Sequence, residues 1–160
     1  MYSRKNVDCE QLERALRTVL RELDLPLHFE VTRGRRKGFR VFIPEQRVLS
    51  KMLAPMVIRG CSDARVLRAT IARFTEMKIK LAEPRLHQVS LEVTCFRVGT
   101  RVRIHEQVLL MGAIKQTQIR ARQPHLAVKK VVSTMKGVFK ALEAEAEAKA
   151  RARARERFFK

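Results

Sequence analysis

The residues able to do chemistry in this sequence are overwhelmingly arginine and lysine. Arg33, Arg35, Arg36, Lys37 and Arg40 are five cations within eight residues, and Gly34 and Gly38 bracket the central three. Charges this dense repel one another in water, and a polyanion neutralises them. The arginine fork binds phosphate oxygens two at a time and stacks on bases, so the implied chemistry is capture of a nucleic-acid backbone. A second group comprises Arg97, Arg101 and Arg103, continuing through Lys115 to Arg120 and Arg122. Within it Arg101 and Arg103 are spaced to share one face of a strand. A third is Lys129, Lys136 and Lys140, which fall within about 40° of one another on a helical wheel. The fourth is the C-terminal run Arg151, Arg153, Arg155, Arg157 and Lys160, interrupted by Phe158 and Phe159. Only Phe96 lies among the second group. Recognition through the backbone and its shape is therefore expected in preference to stacking on splayed bases.

Other chemistries find little footing. His28, His87, His105 and His125 are scattered, with no partner at helical ligand spacing. The segment 34–38 lacks the Lys-Ser/Thr ending and following helix of a phosphate loop, and there is no nucleophile elbow or dinucleotide fingerprint. Cys9, Cys61 and Cys95 are odd in number and far apart. They imply neither a disulfide framework nor a zinc site, and are expected to be small buried residues in a reducing compartment. The expectation is no catalytic residue, no metal, no cofactor and no small-molecule substrate.

Composition supports the same direction. Among 160 residues, 35 Lys and Arg stand against 16 Asp and Glu, a formal net charge of +19, with a pI near 11.2. A compact body so charged is expected to lie against a polyanion. No apolar run approaches the roughly 18 residues of a membrane span, and no signal-peptide core follows Met1. One domain is expected over residues 1–142, followed by a charged helical tail at 143–160, where Ala alternates with Glu, Lys and Arg.

These groups need a scaffold. Leu12, Leu16, Val19 and Leu23 predict an amphipathic helix over 8–25, capped by Asp8. Alternation around Phe29 and Val31, then Phe39 to Ile43, predicts a β-hairpin whose tip is the basic segment. Residues 45–52 suggest a short helix. A stronger one follows Ser62 and Asp63, with Leu67, Ile71, Phe74 and Leu81 on its apolar face, and Pro84 stops it. A second hairpin is expected over 89–110 with Gly99-Thr100 at its turn, and 113–122 could extend it. Pro124 opens a last helix carrying Val128, Val131, Val132, Met135, Phe139 and Leu142. An echo runs between Phe29–Val41 and Phe96–Arg103 but is not read as a repeat. The fold class expected is α+β: an antiparallel sheet from two β-hairpins, about three helices on one face, and a long charged C-terminal helical extension.

Strands followed by a helix bearing Lys129-Lys130 superficially resemble the double-stranded-RNA-binding domain over the last third of the body. A third strand and that family's loop pattern are wanting, and membership is not assigned. Size, charge and basic extensions are similar in character to ribosomal proteins, especially organellar ones. The functional expectation is a structural RNA-binding protein of a ribonucleoprotein particle, with rRNA as the RNA and the mitochondrial matrix preferred over the cytoplasm. Phe158 and Phe159 would then meet neighbouring proteins. The alternative is a protein-interaction subunit or assembly factor of an organellar complex.

Overall fold

The computed structural model describes residues 4–36 and 38–159, and side chains from residue 8 onward within those ranges. It is mixed α+β with antiparallel sheets and three helices. The strands form two three-stranded and two two-stranded sheets, where one sheet from two hairpins was expected.

Helix α1 spans Arg4–Glu22. Leu12, Leu16, Leu20 and Leu23 are its buried stripe, and Val19 sits at its edge. Asp8 lies inside the helix, where it pairs with Arg33 at 3.0 Å, so it does not cap the start. Asp24 takes the left-handed conformation at φ 50°, and the Leu25 N–H reaches back to the Leu20 carbonyl at 2.9 Å. That six-to-one bond ends the helix without a glycine.

Strands β1 (Glu30–Arg33), β2 (Phe39–Ile43) and β5 (Met56–Gly60) make the first sheet, in the order β1-β2-β5. Between β2 and β5, residues 45–52 do not form the expected helix. They contribute to a small hairpin, β3 (Gln46–Val48) with β4 (Lys51–Leu53). Leu49 and Ser50 turn it, both at positive φ. Helix α2 (Asp63–Ala82) follows, and the Ser62 side chain accepts from the Arg65 N–H as its cap. A 3₁₀ turn at Pro84–Gln88 leads to β6 (Leu91–Phe96) and β7 (Gly99–Ile104). Phe96 pairs with Gly99, so Arg97 and Val98 form the turn and Gly99 belongs to the strand. The hairpin β8 (Gln107–Leu109) with β9 (Gly112–Ile114) precedes β10 (Thr117–Ala121). The second sheet has the order β10-β7-β6, and β10 supplies the third strand that the sequence pattern left open. Helix α3 runs unbroken over Pro124–Phe158, so the charged tail continues the core helix.

The chain is an internal duplication. Two strands, a small hairpin, a third strand and a helix occur twice in the same order with the same pairing. Superposing the strand registers matches Glu30-Val31-Thr32 with Glu92-Val93-Thr94, Arg40-Val41 with Arg101-Val102, Ile43 with Ile104, and Ile58-Arg59 with Ile119-Arg120. The echo suspected from sequence therefore exists, but in another register, because three residues separate Gly34 from Gly38 in the first unit and two separate Phe96 from Gly99 in the second.

Local chemistry repeats with the topology. The Gln46 side chain accepts from the His28 N–H at 2.8 Å and donates to the carbonyls of His28 at 2.8 Å and Pro44 at 3.0 Å. Gln107 makes the same three bonds, accepting from the Ser90 N–H at 2.8 Å and donating to Ser90 at 3.0 Å and His105 at 2.8 Å. Each glutamine thus latches the chain entering the first strand of its unit to the end of the second. A Cβ on Gly38 would come within 2.7 Å of the Gly60 carbonyl oxygen, and one on its counterpart Gly99 within 2.9 Å of the Ala121 oxygen. In both units the strand backbones approach too closely there for a larger residue.

Each three-stranded sheet buries one face. Phe39, Val41 and Ile43 point inward from the first, and Thr100, Val102 and Ile104 from the second. Helix α1 packs on β1, α2 on β2, β5 and β6, and α3 on β7 and β10. At the end of α2, Glu83 is buried and accepts from Arg85 Nε at 2.8 Å. Arg85 also donates to Glu143 at 3.1 Å and lies 4.6 Å from the centre of the Phe139 ring, which bolts this corner to α3.

The latches are expected to act independently. Gln46→Ala and Gln107→Ala should each cost about 1–2 kcal/mol, adding in the double variant, by urea unfolding. Hydrogen bonding from Arg85 holds the Glu83 carboxyl below the usual carboxylate range, outweighing the opposing effect of burial. A depressed carboxyl stabilises the fold above its unfolded pKa and ceases to do so as pH falls through its folded one. Glu83→Gln should therefore lower the thermal midpoint by about 2–4 °C at pH 7, with the gap closing below about pH 4.

Candidate nucleic-acid interface

The face of each three-stranded sheet turned away from the helices carries polar and charged side chains. On the first, Glu30, Thr32, Arg40 and Arg59 are half or fully exposed. Arg40 on the central strand stands directly opposite Thr32 on one side and Arg59 on the other. On the second sheet Arg101 stands between Thr94 and Arg120 in the same way. Arg103 lies one step along that face. The expected spacing of Arg101 and Arg103 on one side of a strand is thus present.

Two basic clefts form at the ends of these rows. Arg35, Arg36, Arg40 and Arg59 line the first, with Cys61 at its edge, around about 790 Å³. Arg101, Arg120, Arg122 and Lys130 line the second with Phe96, around about 680 Å³. Arg33 also lines the first cleft and pairs with Asp8; among the described residues, no carboxylate oxygen lies within 4.0 Å of the charged groups of the other eight cations. Arg40 Nε is buried and has no hydrogen-bond partner among them. Arg101 lies 5.0 Å from the centre of the Phe96 ring, and Phe96 is itself 47% exposed, so the pair presents a cationic plate to solvent. With its amide oxygen turned toward β10's arginine, Gln118 accepts from Arg120 at 2.9 Å; Gln116 similarly accepts from Arg103 at 3.0 Å. Lys130 Nζ donates to the Arg120 carbonyl at 3.1 Å, which anchors the start of α3 to the strand edge.

The remaining sequence-derived candidates are distributed as follows. Arg33 is engaged within the fold, paired with Asp8 and lying 4.5 Å from the Phe39 ring centre, and also lines the first cleft. Arg35 and Arg36 are exposed on the loop, where Arg36 has φ 55° and the Gly34 N–H donates to the Gly38 carbonyl at 2.9 Å. Lys37 and Lys160 lie outside the described residues. Arg97 and Arg122 are exposed beside the second cleft, in the β6–β7 turn and just after β10. Lys129 borders a shallow depression with Arg120 and Lys130. Lys136 and Lys140 continue along the exposed side of α3, away from Val131, Met135 and Phe139, which are buried. Arg151 pairs with Glu147 at 3.8 Å, while Arg153, Arg155 and Arg157 are exposed on the projecting end of α3. The sequence reading missed Arg59, Thr32 and Thr94, since only strand register reveals which residues share a row, and it named Lys130 only within the resemblance to the double-stranded-RNA-binding domain.

Met52, Met56 and Met77 line an apolar groove of about 290 Å³ with Lys51 and His87. Lys51 Nζ lies 2.6 Å from His87 Nε2, and burial with the nearby Lys51 and Lys80 charges keeps the imidazole below its ordinary pKa. Among the described residues, no group of three or more His, Cys, Asp or Glu could hold a metal ion, and no helix is long and apolar enough to cross a membrane.

The three cysteines are free, but Cys61 is exposed where a buried residue was expected. Burial pushes the half-buried Cys9 and Cys95 thiols up. A thiol reagent at mildly alkaline pH should accordingly modify Cys61 well ahead of Cys9 and Cys95, as read by peptide mass mapping. No family model, curated protein or solved structure matches this chain.

Proposed function

We propose that this protein is a non-catalytic, structural RNA-binding subunit of a ribonucleoprotein particle. The observation that carries this reading is the gathering of nine cations into two clefts, where among the described residues only Arg33 has a carboxylate within 4.0 Å. A folded protein keeps such charge concentrations at a cost in self-repulsion, and a phosphodiester backbone removes that cost. The clefts are open and rimmed by cations, with Phe96, Val98 and Ala121 adding apolar surface to the second, which suits a ridge of phosphates better than an enclosed small molecule. Exposed lysines along α3 and arginines at its end extend the basic surface. The specific form of the proposal is a ribosomal protein contacting rRNA, with the mitochondrial matrix as its compartment, a reading supported by size, charge and basic extensions.

A second reading draws on Phe158 and Phe159, which are 91% and 90% exposed at the end of α3. Two adjacent bare aromatics fit a protein neighbour, as in an interaction subunit or assembly factor of an organellar complex. The two readings separate on one experiment. The native protein should sediment with rRNA-sized material and leave that fraction after RNase; nuclease-resistant sedimentation with a protein complex would favour the second. In purified form, binding to a labelled RNA hairpin should weaken with salt by about 0.7–0.9 log units per phosphate contact per log unit of salt. Arg35→Ser with Arg36→Ser should lower that slope without changing the unfolding midpoint.

A further inference from the structure

Some matches between the two halves have an evident structural cause. Val41 and Val102, and Ile43 and Ile104, are fully buried core residues at corresponding positions. Gln46 and Gln107 are latches, and Gly38 and Gly99 meet an opposing carbonyl. The cross-strand row on the open face contributes to neither the core nor the latches, although Arg40 lies 6.0 Å from the Phe42 ring centre and Arg101 5.0 Å from that of Phe96. Thr32, Arg40 and Arg59 lie side by side across one sheet, and Thr94, Arg101 and Arg120 across the other. Around them the halves have diverged: Phe42 corresponds to Arg103, Val57 to Gln118, and Cys61 to Arg122.

Directly opposed like charges destabilise an antiparallel pair. Each sheet nevertheless places two arginines opposite one another, at the same register position in both halves. In the first row Arg40 Nε is also buried with no partner among the described residues. A feature that costs stability and is present in both copies, where neighbouring positions differ, implies an anion that offsets the cost.

We infer that the two rows are quasi-equivalent phosphate sites, each made of an Arg-Arg pair flanked by a threonine hydroxyl, and that one RNA engages both. This inference rests on the RNA-binding reading. Each guanidinium donates to phosphate oxygens, and two facing guanidinium groups match the charge and breadth of adjacent phosphodiesters. The hydroxyl of Thr32 or Thr94 adds a neutral donor beside them. Glu30 and Glu92, one step along the same face, bound each row with negative charge. They restrict the backbone to the arginine end, where the clefts open. The duplication thus makes the protein a bivalent clamp whose second contact is intramolecular once the first has formed.

The test uses the full-length protein, a labelled RNA hairpin long enough to span both sheets, and Arg59→Gln, Arg120→Gln and the double variant. These two arginines are the exposed members of their pairs. Each single variant should weaken binding severalfold and reduce the salt slope by about one, and the double variant by about two. Without RNA at low salt, both variants should unfold at or above the wild-type temperature, since a repulsion has been removed; a fall would make the pairs structural and overturn the inference. Native reporters cover the case of a variant that does not fold. RNA should protect Cys61, which lines the first cleft, from alkylation, and Lys130, which lines the second, from acetylation. Steep RNA binding that persists unchanged in both variants, with both reporters unprotected, would sink the two sites while sparing RNA binding through the loop and α3. An effect at one row alone would overturn the bivalent clamp. No RNA binding by the wild type would remove both readings.

Discussion

The structure depends on one helix serving two masters. Helix α2 closes the first unit by packing on β2 and β5, opens the second by packing on β6, and touches both other helices. A surface helix needs a single apolar stripe, but a helix in this position must be covered on several sides. Val66, Thr70, Phe74, Thr75 and Ile79 are buried, and Leu67, Ile71, Met77 and Leu81 pack at the margins. The two threonines belong here because their hydroxyls donate within the helix, Thr70 to the Val66 carbonyl at 2.6 Å and Thr75 to Ile71 at 2.7 Å. Their polar atoms are thereby satisfied without an outside partner. Phe74 meets Phe29 at 6.0 Å between ring centres, which ties the helix to the chain entering the first strand. Because α2 is common to both units, neither has a complete set of covering helices without it.

That arrangement consumes the inner faces of both sheets and leaves their outer faces for charge. Among the described residues, the arginines on the outer faces have no carboxylate within 4.0 Å, whereas cations with structural roles have one. Arg33 is held by Asp8, Arg85 by Glu83 and Glu143, and Lys80 by Glu76 at 3.1 Å. The acidic residues of these pairs lie at corners and on helix faces, while Glu30 and Glu92 stand on the outer faces beyond the arginine rows. Exposed ion pairs contribute little stability, so the distribution matters chiefly for which cations stay available.

Legibility in the sequence followed the range of the interactions concerned. The helices were readable from periodicity because their apolar stripes are local, and Ser62 and Pro124 mark starts that the structure retains. The hairpin β1–β2 was readable because glycines bracket its loop. Residues 45–52 misled because their pattern is short, and the latch bonds of Gln46 fix the chain at the start of β3 in a way that no local propensity reveals. Gly99 drew the expected turn two residues too late, although the close approach of the Ala121 carbonyl explains its presence in a strand. The basic loop was visible as composition. Arg59 was not, since it is a lone cation among apolar neighbours until β5 pairs with β2 and sets it opposite Arg40.

The differences between the halves follow the same logic as their likeness. In the first unit the loop joining β1 and β2 carries Arg35 and Arg36, and the cleft is basic on its loop side. In the second the turn is short, and the added cations, Arg122 and Lys130, come from the start of α3 and the chain before it, while Phe96 contributes an aromatic face. In the proposed bivalent clamp, a shared pair of arginines would supply backbone affinity at both ends, and these unlike flanks would fix which end of an RNA lies where. Two identical sites would hold a backbone in either direction with equal energy. Divergence around a retained centre breaks that symmetry, because the loop cations Arg35 and Arg36 offer charge alone whereas a stacked Arg101–Phe96 plate favours an exposed base or a flat helix end.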